Sequence, residues 1–200
     1  LKLDLSRTKV KKKIEYISEE ELDKYRYTHP YMYERGLTDE IIDLFDVGYD
    51  KNTRDITFPV RDINGNTLFI ARRSVRYKRY QYPDGVEKPL YGLYELQGLN
   101  VNELIICEGM FDALTCWVYG KHAVALNGVG NELQFKQLKR LDCRKLILAT
   151  DMDDAGLRAR KRIKEAVNNK IIMEYRWDIN MAKDINAMTR EQFLALEETF

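Results

Sequence analysis

Short apolar runs alternate with helically spaced apolar residues in the second half of the chain. The runs predict strands at 103–107, 122–126, 145–149 and 170–176. The helical spacing predicts helices at 111–119, 132–141 and 154–167, with a further helix from Thr189. Strands that alternate with helices of about 9–15 residues are typical of right-handed crossovers. Residues 101–200 are therefore predicted to form an α/β domain, a mainly parallel sheet flanked by helices.

The first half has a different pattern. Polar and apolar positions mix at helical spacing between residues 14 and 44, with Thr38 predicted to start a helix that runs through Phe45. Two strand-like runs, 56–60 and 67–71, flank the hairpin signal Asn64-Gly65. These signals predict a smaller α+β subdomain over residues 14–100.

The first thirteen residues stand apart from this subdomain. Residues 2–13 carry six Lys or Arg against one Asp and show little apolar periodicity. Residues 1–13 are therefore predicted to be a basic arm or linker. The chain begins with Leu rather than Met, which indicates a fragment of a longer protein.

Composition indicates a globular chain without a bulk electrostatic preference. Of 200 residues, 44% are apolar and 32% are charged, and the formal net charge is +1. A nucleic-acid partner would therefore have to be engaged locally. Since the sequence has neither a run of about 20 apolar residues nor a signal peptide, a cytoplasmic protein without membrane contact is expected.

A zinc site is not expected in this chain. The three cysteines, Cys107, Cys116 and Cys143, are far apart in sequence, and His29 and His122 are the only histidines. These residues lack the paired spacing of a four-ligand zinc site.

Acidic residues follow two of the predicted strands. Glu108 comes directly after the strand 103–107, and Asp151 and Asp153 follow the strand 145–149. Ligands of open parallel sheets bind beyond the carboxyl ends of the strands, and an i, i+2 spacing in extended backbone points two side chains to the same side. The three carboxylates are therefore expected to converge at one edge of the sheet.

Three carboxylates that share one site repel one another unless a cation is present. Oxygen ligands without histidine or thiolate favour Mg²⁺ or Mn²⁺ and leave positions for water and phosphates, as phosphoryl transfer requires. The alternative is helix capping, because Asp153 precedes the helix 154–167.

Three further segments lie at the same predicted edge. In the segment 182–186, Asp184 would complete a metal site, Lys183 would meet a phosphate, and Asn186 would add a hydrogen bond; an ordinary loop is the alternative. Asp112 falls in the first turn of a helix, where it would support Glu108 or cap the helix. The glycines of 127–130 would let backbone approach a ligand, or form a plain turn.

Cations and tyrosines are dense in residues 71–82, which hold five Lys or Arg and three Tyr. Cations hold phosphates, and aromatic faces stack on unpaired bases. A solvated edge strand protected by charge is the alternative. The helix 154–167 also carries a row of cations that is predicted to be its solvated face: Arg158, Arg160, Lys161, Arg162 and Lys164.

The strand-end motifs, in this order, resemble the TOPRIM domain shared by DnaG-type primases, topoisomerases and several nucleases. They are Glu108–Asp112, Asn127–Gly130, Asp151–Asp153 and Lys183–Asn186. The resemblance implies that Glu108, Asp151 and Asp153 hold catalytic magnesium, with Asp184 and Asp112 as acidic support. Primases of this type often carry an Asp where Asn186 stands, which weakens a direct metal role for Asn186.

The first half resembles the start of the RNA-polymerase core of DnaG-type primases. The matching segments are Tyr33–Thr38, Phe45–Gly48, Phe58–Asp62, Arg73, Lys78–Tyr80, Lys88 and Leu90–Leu93. With the TOPRIM motifs they cover about residues 30–190 and resemble a compact phage or mobile-element form.

The resemblance implies a DNA primase, which makes short RNA primers on single-stranded DNA from ribonucleoside triphosphates by two-metal nucleotidyl transfer. The implied partners outside this chain are a replicative helicase and a zinc-ribbon domain. Contacts with nucleotide or template are expected from Arg73, Lys78, Arg79, Tyr80, Lys88, Asn127, Gly128, Lys183 and Asn186.

Two other functions stay open at the level of sequence. The same acids would serve a TOPRIM nuclease that cleaves phosphodiesters with a metal ion. A single-strand-binding module that is inactive without further domains is the second alternative.

Overall fold

A computed structural model describes residues 15–200; the predicted basic arm, residues 1–13, lies outside the described part. The helices are α1 Glu19–Asp23, α2 Pro30–Glu34, α3 Asp39–Phe45, α4 Met110–Val118, α5 Glu132–Arg140, α6 Asp154–Ala166 and α7 Arg190–Leu194, with a 3₁₀ helix at Ile185–Ala187. The strands are β1 Gly48–Asp50, β2 Asp55–Arg61, β3 Thr67–Ser74, β4 Tyr80–Gln81, β5 Glu103–Cys107, β6 Ala123–Ala125, β7 Lys145–Ala149, β8 Ile171–Tyr175 and β9 Glu198–Thr199.

The first half forms a small antiparallel sheet in the order β1-β2-β3-β4, preceded by α1, α2 and α3. The predicted hairpin is β2–β3, which pairs Phe58 with Ala71. Gly65, in the connecting turn, has a φ of 87°, a conformation that glycine adopts without steric cost. The α+β character of this region agrees with the sequence pattern.

The second half forms a five-stranded sheet in the order β6-β5-β7-β8-β9. The first four strands run parallel, which confirms the α/β fold class with a mainly parallel sheet. Their bounds lie within one residue of the predicted ones. The edge strand β9 pairs antiparallel with β8 and was not predicted, because two residues are too few to show an alternating pattern.

Apolar packing joins the two sheets. Phe58 of β2 meets Phe111 of α4 edge-to-face at 5.3 Å, and Phe45 meets Trp117 at 5.3 Å. Tyr91 forms an antiparallel bridge with Ala125 at the edge of the parallel sheet. One continuous core therefore spans both halves, and the division at residue 100 stays a prediction. Among the described helices, none is long and apolar enough to cross a membrane.

Candidate active site

A cavity of about 440 Å³ opens at the carboxyl edge of the parallel sheet, where it faces the β3–β4 region of the smaller sheet. Acidic side chains line one wall, and cations and aromatic rings line the other. The lining residues are Arg35, Arg73, Lys78, Tyr80, Tyr82, Glu108, Gly109, Phe111, Asp112, Asn127, Gly128, Asp151, Lys183 and Asp184. The fold thus brings together predicted site residues from both halves of the chain.

Glu108 stands at the end of β5, a central strand whose apolar side chains fix its position in the core. Its Oε2 atom is buried and has no hydrogen-bond partner within the described chain. Burial, and then the charges of Asp151 and Asp153, raise the pKa of Glu108 to about 7. Such a carboxylate gains stability from a cation or a donor in the cavity.

Asp151 follows β7, the neighbour of β5, so the two carboxylates meet at adjacent strand ends. Burial, followed by the charges of Asp184 and Asp153, raises the pKa of Asp151 to about 6. The Lys78 ammonium, on the opposite wall, lowers the pKa of both Asp151 and Glu108. The electrostatics therefore connect the two walls of the cavity.

Asp112 lies in the first turn of α4 and is buried. Its Oδ1 accepts a hydrogen bond from the backbone amide of Asn186 at 3.0 Å. Burial, and then the charges of Asp184 and Asp151, raise the pKa of Asp112 to about 7. Asp112 thus belongs to the acidic cluster as well as to the first turn of a helix.

Asp153 caps α6, as the alternative interpretation of the sequence expected. Its Oδ1 accepts a hydrogen bond from the Gly156 amide at 2.8 Å, while its side chain is largely exposed. Its charge still raises the pKa of Glu108 and Asp151. Asp153 therefore both caps α6 and adds its negative charge to the acidic cluster.

The acidic wall fits a hard divalent cation by its chemistry. All its donors are carboxylate oxygens, their charges repel one another, and one oxygen of Glu108 is buried without a partner among residues 15–200. Within residues 15–200, however, no three His, Cys, Asp or Glu side chains stand as a ready-made cage for a metal ion. The donor set fits Mg²⁺ or Mn²⁺ without forming a closed ligand shell.

Arg160 holds the loop that carries Asp151. Its guanidinium donates to the carbonyl oxygens of Thr150 and Tyr175 at 2.5 and 2.6 Å, and to Thr150 Oγ1 at 3.0 Å. The prediction that the cations of this helix form a solvated face was wrong for Arg160, whose side chain is only 2% exposed. Buried carbonyls need donors, and Arg160 supplies several in a fixed plane.

The opposite wall contains predicted cations and aromatic residues. Arg73 is buried between the rings of Tyr80 and Tyr31, with its guanidinium carbon 5.3 and 6.0 Å from their centroids. Lys78 is an exposed side chain of this lining. Lys183, which is also exposed and lines the cavity, lies on the acidic side, where its ammonium is 3.8 Å from Oδ2 of Asp184. Arg79 is exposed but lies outside that lining.

Lys88 lies outside the cavity lining but contacts the segment 127–128, which belongs to that lining. The Lys88 ammonium donates to the carbonyl oxygen of Asn127 at 2.6 Å and lies 4.3 Å from the centroid of the Tyr82 ring. Asn127 adopts a φ of 54°, and its buried side-chain amide has no partner within the described chain. Gly128, at a φ of 131°, gives the cavity a backbone surface without a side chain.

Two features of the site escaped sequence reasoning. Arg35 lines the cavity, and its buried Nε has no partner among the described residues. Its only signal was its place in the segment Tyr33–Thr38. Asn186 does not belong to the cavity lining; its side chain points to the Arg35 carbonyl and to Thr115.

Comparison with known proteins gives a consistent family relationship. Residues 105–189 match the family described as Toprim-like. Over 150 residues the chain is 31% identical to the DNA primase of Mycoplasma genitalium, a match that covers 66% of this chain and 25% of the primase. The chain thus spans about a quarter of the length of that curated relative.

Solved structures show the same fold. A DnaG primase catalytic domain bound to ssDNA superposes with a TM-score of 0.68 and 21% identity, covering 84% of this chain and 71% of that one. The primase fragment of the bacteriophage T7 primase-helicase protein gives a TM-score of 0.63 and 17% identity, covering 86% and 72%. At these identities the likeness establishes the fold.

Proposed function

Because the chain is a relative of the DnaG-type primases and carries a TOPRIM domain, we propose that it is the catalytic core of a DNA primase, which synthesises short RNA primers on single-stranded DNA. The observation that carries the proposal is the single cavity in which strand-end acids face cations and aromatic rings. The acids suit metal-assisted chemistry, and the opposite wall suits a triphosphate and unpaired bases.

In the proposed reaction, the 3′ hydroxyl of the growing primer attacks the α-phosphate of a ribonucleoside triphosphate, and pyrophosphate leaves. Glu108, Asp151 and Asp153 would hold Mg²⁺ or Mn²⁺, with Asp184 and Asp112 as acidic support. When bound, the cations would align the attacking and leaving oxygens and offset their charge. Partial burial of Glu108 and Asp151 reduces the screening of this charge by water.

The cations that line the cavity would bind phosphates. Arg73, Lys78 and Lys183 line the cavity with Arg35, and together they would hold the triphosphate or the template backbone. Lys88 fixes the carbonyl of Asn127 and thereby the backbone of Gly128, which would let a nucleotide approach closely.

Single-stranded DNA is the proposed template. The exposed side chains around Tyr77, with Lys78 and Arg79, extend from the cavity and combine cations with an aromatic face. The similar DnaG domain bound to ssDNA supports this assignment. The T7 relative, a primase-helicase protein, supports a replicative helicase as a partner outside this chain, and a zinc-ribbon domain is proposed there too.

Extension of an annealed RNA primer on single-stranded DNA tests the proposal. With Mg²⁺ or Mn²⁺ and labelled ribonucleotides, the chain should extend the primer according to the template, and Asp151→Ala should abolish extension while the fold persists. Glu132→Gln, which changes an exposed acid in α5 away from the cavity, is the matched control.

The outcome separates the alternative functions. Degradation of strands without incorporation would make the chain a TOPRIM nuclease. Single-strand binding without either reaction, unaffected by Mg²⁺ or by Glu108→Gln, would identify a binding module. Full activity of Asp151→Ala would refute the metal-site assignment.

A further inference from the structure

Asn186 links the two halves of the chain directly behind the cavity. It lies in the 3₁₀ helix Ile185–Ala187, and its Nδ2 donates to the carbonyl oxygen of Arg35 at 2.8 Å and to Thr115 Oγ1 at 2.7 Å. Its backbone amide donates to Asp112 Oδ1 at 3.0 Å. One residue thus contacts the segment that carries Arg35, the helix α4 and an acid of the cavity.

The chemistry of these partners determines which atom of Asn186 must face them. The Arg35 carbonyl oxygen accepts hydrogen bonds and cannot donate. Thr115 Oγ1 has a single proton, which it donates to the Phe111 carbonyl at 2.8 Å, so towards Asn186 it also acts as an acceptor. Two acceptors therefore converge on one nitrogen, and a primary amide supplies the two hydrogens that they require.

This arrangement relates two residues of the cavity lining, Arg35 and Asp112, that come from different halves of the chain. Arg35 ends α2, and its guanidinium carbon lies 5.0 Å from the centroid of the Phe111 ring, beside the acids. Arg35 and Asn186 are 151 residues apart in sequence, so the bond between them is purely tertiary. Asn186 thus joins the Arg35 backbone, from which the guanidinium extends into the cavity, to the Asp112 carboxylate.

We propose that Asn186 is a positioning residue, a double hydrogen-bond donor that fixes Arg35 against Asp112, and that it binds neither metal nor nucleotide. The role replaces the nucleotide contact expected from the sequence. This inference rests on the proposed function in one respect, the contact of Arg35 with the triphosphate.

The distinguishing variants are Asn186→Asp and Asn186→Ala. Aspartate has the same shape but places a carboxylate oxygen against the Arg35 carbonyl and beside Asp112, and it binds Thr115 only if that hydroxyl gives up its bond to the Phe111 carbonyl, whereas alanine only removes the donors. The proposal therefore requires Asp to be more harmful than Ala. An oxygen ligand for metal or nucleotide would give the reverse order, because Asp keeps the oxygen.

Hydrogen exchange of the backbone amides of residues 31–37, measured without metal or nucleotide, is the first readout. Exchange should rise about tenfold in Asn186→Asp, less in Asn186→Ala, and not at all in Asn169→Asp. Asn169 is the matched control, because its exposed amide donates to the Lys139 carbonyl at 3.0 Å, near the opposite edge of the sheet.

Steady-state kinetics of primer extension with ATP is the second readout. Asn186→Asp should raise the KM for ATP several-fold more than it lowers kcat, because the defect lies in the placement of Arg35. Wild-type exchange and KM in Asn186→Asp, or a larger defect in Ala than in Asp, would overturn the proposal.

The exchange measurement still decides if a variant does not fold or if the wild-type chain is inactive. Should Asn186→Asp fail to fold, exchange in Asn186→Ala decides: unchanged exchange at residues 31–37 overturns the proposal, and raised exchange supports it. If the wild-type chain makes no primers, the proposed function fails, while the exchange order still tests the role of Asn186.

Discussion

Arg160 donates two hydrogen bonds to Thr150, one to the carbonyl oxygen at 2.5 Å and one to Oγ1 at 3.0 Å, and Thr150 immediately precedes Asp151. The same guanidinium reaches the Tyr175 carbonyl at the end of β8 and the buried carboxylate of Glu174. The ends of β7 and β8 are thus tied together by a side chain of α6. This contact sets the position of the loop that bears two of the acids.

Arg160→Met should lower the free energy of unfolding by about 2–4 kcal/mol, because it leaves buried carbonyls without donors. Glu174 keeps its ion pairs with Lys164 and Arg176, so it loses only its ion pair with Arg160. Urea unfolding measures the change. Arg158→Met, on the exposed face of the same helix, should change the free energy of unfolding by no more than about 0.5 kcal/mol. Equal effects of the two variants would show that Arg160 does not stabilise the ends of β7 and β8.

Gly156→Ala should destabilise the chain and impair the site together. A Cβ at Gly156 would overlap the carbonyl oxygen of Asp151, so the loop must move. We expect a loss of about 1–3 kcal/mol in urea unfolding and a marked fall in primer extension.

Gly120→Ala provides the control for this glycine. Gly120 has a φ of 82° and open space around the position of a Cβ, so only backbone strain of about 1 kcal/mol is expected, with activity retained. Normal activity of Gly156→Ala would show that the loop position is not critical.

Mg²⁺ should raise the melting temperature more at pH 8 than at pH 5. Without metal, the raised pKa values of Glu108 and Asp112, about 7, and of Asp151, about 6, mean that the folded chain holds protons that the unfolded chain releases. The stabilising contribution of these groups is complete below about pH 4 and is lost as the pH rises through 6 and 7. A bound cation offsets that loss where the groups are ionised.

Differential scanning fluorimetry with and without Mg²⁺ measures this effect. Asp151→Asn should raise the melting temperature of the metal-free chain at pH 8 and shrink the Mg²⁺ increment, since it removes one repelling charge. Glu132→Gln should leave the increment unchanged. A Mg²⁺ increment that is equal at the two pH values would argue against the acidic cluster as the binding site.

Tyr77→Ala should weaken the binding of single-stranded DNA by about 1–3 kcal/mol if the ring stacks on a base. The ring is 70% exposed next to Lys78 and Arg79. Fluorescence anisotropy with a labelled oligonucleotide measures the affinity. Tyr27→Ala is the control, because the Lys51 ammonium covers the Tyr27 ring at 3.3 Å.

Arg79→Ala should reduce the salt dependence of the same binding. Its guanidinium is exposed and lies outside the cavity lining, so its expected role is contact with one phosphate. Loss of one such contact should lower the slope of log affinity against log salt by about 0.7. An unchanged slope would place the template elsewhere.

The sequence by itself determined the α/β architecture, since strand and helix periods alternate from residue 103 onward and each apolar run is long enough to be recognised. It also determined that Glu108 and Asp151 meet, because parallel strands end at the same edge of a sheet. The two-residue strand β9 could not be found, as its pairing with β8 depends on the sheet that it joins.

Tertiary structure alone decided what depends on partners distant in the chain. Arg160 has the charge of a solvated residue, but α6 turns it towards the ends of two strands whose carbonyls need donors. Arg35 and Asn186 carry no local signal of their relationship, because the acceptors that select an amide at position 186 come from residues 35 and 115. Periodicity is a local property of the chain, whereas hydrogen-bond complementarity arises only when distant segments meet.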